Sequence, residues 1–419
     1  MHLTEQHRID RFDPRWPELD TVCFASKHLY NAALYQMRQA YIFQQQHRIA
    51  YEDLDKLMQP TAEYRALPAK VAQQVLRQVC LAWKSYFASV TEYRKHPAKF
   101  LGHPKLPKYL DKQGRNLLVF TEQAISQAKK NEGWILPSGL DIQVVTDIPQ
   151  DRIAQVRIVP KATHYMVEVV YEQAEDDQLL NPAHIAAVDI GVNTLATLTS
   201  NQPGFVPLLV NGRPLKSLNQ WYNKRRAELQ AALPTGVYVS RALAELTDYR
   251  QRAIMSYLHT ASRAIINSLV GADIQVLVIG KNDGWKQEVQ MGTRNNQTFV
   301  CIPHAKFIEL LTYKAALVGI RVILIQESYT SKCSFLDGEA IGKHEQYAGK
   351  RIKRGLFRAG NGHLINADVN GSYNILCKAC PQAFSPDAIA QVRRHPIALR
   401  LPDRQQAQHK QSRTLRATG

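Results

Sequence analysis

No apolar run in this chain is long enough to cross a bilayer, and the opening Met1-His2-Leu3-Thr4-Glu5-Gln6-His7 lacks the apolar core of a signal peptide. A soluble, intracellular protein with no membrane partner is expected. Cysteine is scarce: six in 419 residues (Cys23, Cys80, Cys301, Cys333, Cys377, Cys380), scattered without a framework. That excludes a disulfide scaffold and fits a reducing cytosol. Acid is short relative to base, with 36 Asp and Glu against 53 Lys and Arg and a net charge of +17. Lysines and arginines gain affinity by releasing counterions from phosphates, so a polyanionic partner is expected. A basic surface kept only for solubility is the other reading of the same charge. What is present is a globular hydrophobic fraction of 45% and enough length for two or three domains.

From about residue 20 to 95, apolar residues recur at helical spacing, in Cys23-Phe24, Leu29 to Tyr35, and Val71 to Leu76 running on to Trp83 and Phe87. Pro68-Ala69 marks a helix start. These faces read first as the packing surface of a helical bundle. Between Tyr93 and Arg115 the character changes. Arg94, Lys95, Lys99, Lys105, Lys108, Lys112 and Arg115 interleave with Pro97, Pro104 and Pro107 against one acid, Asp111. The prolines exclude a long helix, so the basic side chains are displayed on extended backbone, as a phosphate-tracking segment or as solvated surface. Phe100 and Tyr109 can stack on bases or pack inward.

Short strands follow at 116–120, 155–159 and 165–171, and their spacing suggests a small β-barrel. The acidic stretch from Glu172 to Asp177, with Asn181-Pro182, reads as a linker. Beyond it, strands are expected at 185–190, 194–199, 206–210, 276–279 and 321–325, with helices at 215–233, 239–270 and 306–318. This is the element order of an RNase H fold, a mixed sheet flanked by helices. The tail from Arg393 to Gly419 is polar and basic without apolar periodicity, and disorder is expected there.

Asp189, in Ala186-Ala187-Val188-Asp189-Ile190-Gly191, closes the first of these strands, and Asp368 opens the helix-like run Ile365 to Leu376. These are the two ends of an RNase H-type metal site. Two-metal phosphodiester hydrolysis needs several hard oxygen ligands converging while positions stay open for water and phosphate. The usual third ligand is a Glu just after the fourth strand, but that place reads Ile279-Gly280-Lys281-Asn282-Asp283, and Gly280 cannot ligate. Glu327, at the end of the fifth strand, is the substitute, displaced one strand sideways by about 4.8 Å. Asp283 is the next candidate, and a plain surface acid is the alternative reading of Glu327. The expected set is Asp189, Glu327 and Asp368, holding two Mg²⁺.

Taken in order, Leu29-Tyr30-Asn31, the Leu67-Pro68 to Trp83-Lys84-Ser85 helix, Pro104-Lys105-Leu106-Pro107-Lys108, Asp189-Ile190-Gly191-Val192, Ser328-Tyr329-Thr330-Ser331-Lys332 and Asn366-Ala367-Asp368-Val369-Asn370-Gly371 form a specific series. With them the chain resembles, over nearly its whole length, the TnpB family of insertion-sequence proteins, RNA-guided RuvC-type DNA endonucleases related to the type V CRISPR effectors. The resemblance implies a multidomain α+β architecture. A wedge β-barrel would span 1–20 and 96–180, interrupted by a helical recognition lobe over 21–95. An RNase H-like (RuvC) α/β nuclease domain would cover 181–391, followed by a basic disordered tail over 392–419. The implied partners are a guide RNA transcribed from the element's end and double-stranded target DNA beside a short adjacent motif. Such proteins hold the heteroduplex by its backbone in a basic channel, a task suited to the Arg94–Arg115 stretch and to Lys332. The implied location is the bacterial cytoplasm, at the nucleoid.

The chain departs from the family pattern twice. Gly280 replaces the middle Glu, and Glu327 resembles the relocated Glu of branches with a Gly-Lys-Asn-Asp-Gly-Trp-Lys-Gln-like segment. Many relatives also carry two Cys-x-x-Cys pairs before the last Asp, where this chain has Cys333 alone. Tetrahedral zinc wants four ligands, so the insertion over 329–362 is expected to be a degenerate, zinc-free hairpin held by Phe335, Leu336 and Phe357. Cys377-Lys378-Ala379-Cys380 has no second pair and reads as two neighbouring thiols at a helix end. Two functions compete: a Mg²⁺-dependent RNA-guided DNA endonuclease, and a guided DNA-binding protein that no longer cleaves and acts as a transcriptional repressor. Direct strand transfer by a transposase would call for a dedicated end-binding domain, and none is evident.

Overall fold

The computed structural model describes residues 1–43, 49–126, 133–175, 183–281 and 302–401. The chain divides into two compact units, Met1–Ala174 and Glu175–Gly419. Among the described residues, no helix is long and apolar enough to cross a membrane.

In the first unit, β1 (His2–Asp10) pairs along its whole length with β6 (His164–Glu172). The antiparallel sheet continues through β5 (Ile153–Pro160) to β2 (Leu118–Thr121). Polar residues dominate β1, so its strand character comes from its partner and not from its own pattern. A two-stranded ribbon, β3 (Trp134–Ile135) with β4 (Val144–Val145), completes the β-structure. The expected barrel is not closed: among the described residues β1 and β2 are the free edges of an open sheet. Gly133, Pro137, Gly139 and Pro149 interrupt the segment between β2 and β5 and keep its strands to two residues.

Four helices lie between β1 and β2 in the chain: α1 (Trp16–Phe43), α2 (Tyr51–Met58), α3 (Ala62–Arg65) and α4 (Ala69–Lys95). The first begins at Trp16 and not near residue 21, because the turn after β1 is short. Helices and sheet share one core, in which Leu19, Leu34 and Trp83 join Phe120 and Val167. The aromatic stripe of the helices closes on itself, with the Tyr41 ring 5.3 Å from Trp83 and 5.7 Å from Phe87. Pro97 ends α4 in a short 3₁₀ turn, Pro97–Lys99.

The second unit is built on a six-stranded mixed sheet. Its strands are β7 (Ile185–Ile190), β8 (Thr194–Ser200), β9 (Leu208–Asn211), β10 (Val276–Gly280), β11 (Arg321–Ile325) and β15 (Ile397–Ala398). The spatial order is β11-β10-β7-β8-β9-β15. β7, β10 and β11 run parallel, while β7, β8 and β9 form an antiparallel meander. α5 (Arg213–Ala231) and α6 (Arg241–Gly271) follow β9, and α7 (His304–Ala316) precedes β11. One face of the sheet, carrying Ala186, Val188, Leu277 and Ile279, packs on α6 and α7 through Leu258, Ile265, Phe307 and Leu311. The other, carrying Ala187 and Val278, packs on Ile375 and Leu376 of α8 (Ala367–Ala379). A short α9 (Pro386–Gln391) follows.

Residues 392–401 correct the first part of the expected disordered tail; residues 402–419 lie outside the described residues. Ile397 and Ala398 add β15 in parallel to β9, and Leu399 and Leu401 pack on the main core. Three alternating apolar residues are too short a pattern to stand out among flanking arginines, and the edge of β9 supplies the hydrogen bonds they lack. Between β11 and α8 lies a small sheet, β12 (Lys350–Lys353), β13 (Leu356–Arg358) and β14 (Leu364–Ile365). Phe335 and Phe357 bury against Val369 and Tyr373 of α8, with Leu336 beside them, and the Phe335 ring stacks on Tyr373 at 4.4 Å.

Candidate functional site

Side chains alternate across a strand, and this parity builds the site. Ala187 faces α8, so Asp189 does too. On β10 the α8 face carries Val276 and Val278, and then Gly280. On β11 it carries Ile323 and Ile325, and Glu327 follows two residues later. Register aligns these positions: Ile279 pairs with Val188, and Gly280 with Ile325. Asp368 is the second residue of α8, where Asn366 caps the helix by accepting from the Asp368 and Val369 amides at 2.9 and 3.1 Å. Three acids far apart in the chain thus meet one layer between sheet and helix. Glu327 does not sit on β11 itself; it lies just past the strand, and its side chain returns over Gly280.

Two glycines let the carboxylates in. A Cβ at Gly280 would lie 2.6 Å from Glu327 Oε2 and 2.7 Å from Ile375 Cδ1, so the Glu327 carboxyl occupies the space beside Gly280. A Cβ at Gly371 would lie 3.0 Å from Asp189 Oδ2, so the strand-end carboxylate rests directly on the helix backbone. Burial, then the charges of Glu327 and Asp368, push the Asp189 carboxyl up to about 8, against a weaker opposing pull from Arg351. Burial likewise raises Glu327 to about 6, opposed by Lys378. Around Asp368, Thr194 donates to Oδ2 at 3.0 Å and Arg351 reaches Oδ1 at 3.4 Å. Among the described residues no three His, Cys, Asp or Glu side chains already form a metal-sized cluster. The three acids share an electrostatic field and not a finished coordination sphere. Asp283 lies outside the described residues.

The sequence pattern missed the residues that hold this layer together. Asn370, Asn374 and Lys378 stand four apart on α8. Asn370 accepts from the Phe335 amide at 3.0 Å and donates to the Cys333 carbonyl at 2.9 Å. Asn374 donates to the Thr330 and Cys333 carbonyls at 2.9 and 2.7 Å, and Lys378 to the Ser328 carbonyl at 3.1 Å. On the opposite side, the buried Ser372 donates within reach of the Ala187 and Thr197 carbonyls at 3.0 and 3.1 Å. A polar stripe at helical spacing inside an otherwise apolar helix was the available signal. Tyr329 follows Glu327 with φ of 69°, a left-handed turn that costs strain for a bulky residue.

Residues 168–286 match the family model OrfB_IS605, described as a probable transposase, and residues 304–375 match the Cas12f1-like TNB domain. The TnpB-like protein ORF457 of Acidianus two-tailed virus is 25% identical over 50% of this chain and 46% of its own length. The CRISPR-associated endodeoxyribonuclease Cas12f2 of a Micrarchaeota archaeon (strain CG1_02_47_40) is 28% identical over 51% of this chain and 40% of its own. These matches make the chain similar to TnpB-type and Cas12f-type proteins. The aligned part of this chain spans under half the length of both curated relatives. A solved Cas12f1–sgRNA–target DNA complex shares its mixed α/β multidomain fold, with a TM-score of 0.53 at 15% identity over 86% of this chain and 83% of that one.

The basic residues expected to meet nucleic acid fall into two groups. Arg94, Lys95, Lys99, Lys105, Lys108 and Lys112 are exposed, Lys99 pairing with Glu92 at 2.8 Å, and Lys332 is exposed on the second unit. Arg115 differs from them in being half-buried. Its guanidinium grips both Asp20 oxygens at 2.9 and 2.6 Å and lies 4.5 Å over the Phe24 ring. Phe100 packs against Tyr93 at 5.5 Å, and the exposed Tyr109 ring carries Arg38 at 5.0 Å.

Proposed function

We propose that this chain is an insertion-sequence-encoded, RNA-guided DNA endonuclease whose hydrolytic centre is Asp189, Glu327 and Asp368. The observation that carries the proposal is the convergence of these carboxylates on one sheet face, with Gly280 vacated for Glu327. Their chemistry fits Mg²⁺: all the donors are hard carboxylate oxygens, and burial together with the charges of Glu327 and Asp368 raises the Asp189 carboxyl to about 8, a repulsion that a bound cation would relieve. When bound, the metal would supply Lewis-acid activation of water and stabilisation of the leaving 3′ oxygen. The chain's own residues do the rest. Thr194 orients Asp368, Gly371 seats Asp189, and Asn370, Asn374 and Lys378 fix the turn that delivers Glu327.

In this reading the second unit holds a RuvC-like nuclease domain over 181–391 with a zinc-free insertion. The first unit combines a wedge-like sheet with a recognition lobe formed by α1 to α4. Its partners are a guide RNA from the element and target DNA beside a short adjacent motif, in the bacterial cytoplasm. Similarity to a complex of Cas12f1 with sgRNA and target DNA supports those partners. Exposed Lys105, Lys108 and Lys112 would track phosphates. A cleavage-deficient, guided repressor is the second reading, favoured by the lack of a ready-made three-ligand cluster among the described residues.

The test is co-expression with the RNA flanking the gene, followed by cleavage of a target library randomised beside the match, with Mg²⁺. Cutting that is lost in Asp189→Ala, Glu327→Gln and Asp368→Ala is the expected result. Guided binding without cutting would establish the repressor, and full activity in Glu327→Gln would remove that residue from the centre.

A further inference from the structure

The second unit holds a cavity at the end of the sheet remote from the carboxylates. Its volume is about 880 Å³, within the roughly 300–1,000 Å³ of cavities that take small organic ligands. The length of β8 separates the two places, by about 20 Å from Thr194 beside Asp368 to Ser200 on the cavity wall. Part of that wall is the β8–β9 turn. Ser200 donates to the Ile185 carbonyl and Asn201 accepts from the Ile185 amide, both at 2.8 Å, so the turn is pinned to β7. Pro203-Gly204 closes it, with Gly204 at φ of 79° and the Phe205 amide donating to the Gln202 carbonyl at 3.1 Å. Phe205 thereby joins the wall, and so does Phe384, held edge-on by Phe335 and Tyr373 at 5.1 and 5.6 Å. The remaining side is basic. Arg393, Arg394 and His395 line it, and among the described residues no lining residue is acidic. Their backbone is fixed: the Arg393 carbonyl accepts from the Tyr373 hydroxyl at 3.4 Å and the Arg394 carbonyl from the Asn366 amide at 3.1 Å. Among the described residues, the side chains of all three and of Gln202 have no hydrogen-bond or ion-pair partner. Guanidinium groups gathered with no acid to answer them attract an anion, while the two rings present flat apolar surface.

We propose that this cavity is a nucleotide site, with the base against the Phe205 and Phe384 rings and the phosphate on Arg393, Arg394 and His395. Rings stack on any base, and a guanidinium fork suits a phosphate. The Gln202 amide, half-buried on the same turn as Phe205, offers a donor and an acceptor to a base edge. The site goes beyond the endonuclease reading, since it uses none of the three carboxylates and needs no metal. Two sources carry this chemistry, a free mononucleotide and an unpaired nucleotide within a single strand.

Photocross-linking of the purified full chain tests both halves of the site. One probe is 5-iodouridine 5′-monophosphate and the other a single-stranded tetranucleotide carrying one 5-iodouridine, each read by mass spectrometry of the labelled peptides. Labelling of Phe205 or Phe384 is expected. Labelling by the mononucleotide identifies a free nucleotide as the occupant, and labelling by the tetranucleotide alone identifies a strand. The concentration giving half-maximal labelling should rise about ten- to a hundredfold in Arg393→Gln/Arg394→Gln, and as much for each probe stripped of its phosphates. Arg226→Gln, exposed on α5 and outside the cavity, should stay within about twofold of wild type, because a distant charge is screened. Labels confined to residues outside the cavity would overturn the proposal, as would wild-type labelling of the double variant. Equal labelling with and without phosphate would overturn it too, and that comparison is made on the wild-type chain, so it stands whether or not a variant folds.

Discussion

A methyl group at position 280 would meet Glu327 Oε2 at 2.6 Å and Ile375 Cδ1 at 2.7 Å, so Gly280→Ala must expel the carboxylate or shift α8. Cleavage is expected to fall at least about tenfold while guided DNA binding holds, since the lost carboxylate acts in the chemical step. The exchange runs the other way too. Gly280→Glu combined with Glu327→Ala should regain part of the activity that Glu327→Ala loses, because the two positions feed the same space. Single-turnover rates check both, and a wild-type rate in Gly280→Ala would show that Glu327 has no part in the centre. Asp189 sets the pH response. The folded, metal-free protein holds its proton up to about 8, whereas the unfolded chain gives it up near pH 4. The fold therefore binds more protons than the unfolded chain across that window. Its contribution to stability is full at the acid end and is lost as pH rises through the folded value. Thermal melts in a chelator should show melting temperature declining from pH 5 to 8 in wild type and less so in Asp189→Asn. Added Mg²⁺ should raise it more at pH 8 than at pH 5.

At the scale of elements, α8 joins the sheet on one side and the insertion on the other. Ser372 bonds to β7 and β8, and Asn370 and Asn374 bond to the 330–335 segment. The insertion is braced by carboxylates. Asp337 accepts from the Gly360 and Asn361 amides at 2.6 and 3.1 Å, and Glu339 accepts from the Ser334 and Ala348 amides at 2.6 and 2.9 Å. Burial would raise the Asp337 carboxyl, but hydrogen bonds from Ser334, Gly360 and Asn361 outweigh it and leave the group lowered. The sign is opposite to that of Asp189: this stability is present above the unfolded pKa and is lost as pH falls through the lower folded one. Hydrogen exchange read by NMR should therefore show Gly360 and Asn361 protected at neutral pH in wild type and exposed in Asp337→Asn. Protection unchanged in that variant would show that packing alone holds the insertion.

Across the whole molecule, a net charge of +17 gives nucleic-acid affinity a steep salt dependence. Lys105, Lys108 and Lys112 are exposed while Arg115 is engaged with Asp20, so their alanine variants should differ in kind. Each lysine removed from a phosphate contact lowers the slope of log affinity against log salt by about one. Arg115→Ala should leave the slope alone and cost about 1–3 kcal/mol of stability, because it strands Asp20. Filter binding at several salt concentrations, paired with urea denaturation, separates the two.

Strand and helix order in the second unit was legible from the chain because its periods are strong: Ile185 to Val188 and Val276 to Ile279 are continuous apolar runs of the kind a buried strand accommodates. Asp189 and Asp368 stood out because an ionisable group at the edge of such a run has to be explained by chemistry. Other features depend on partners far away in sequence. β1 is a strand by virtue of β6, Ile397 and Ala398 by virtue of β9, and Arg115 is half-buried because Asp20 holds its guanidinium. Arg351 meets Asp368 through a hairpin register that no local pattern encodes. The sequence by itself determined which acids were available and that the place of the middle Glu was empty. That the Glu327 carboxyl lies over Gly280 is a matter of tertiary structure, since it depends on two adjacent parallel strands and on the space left by a glycine.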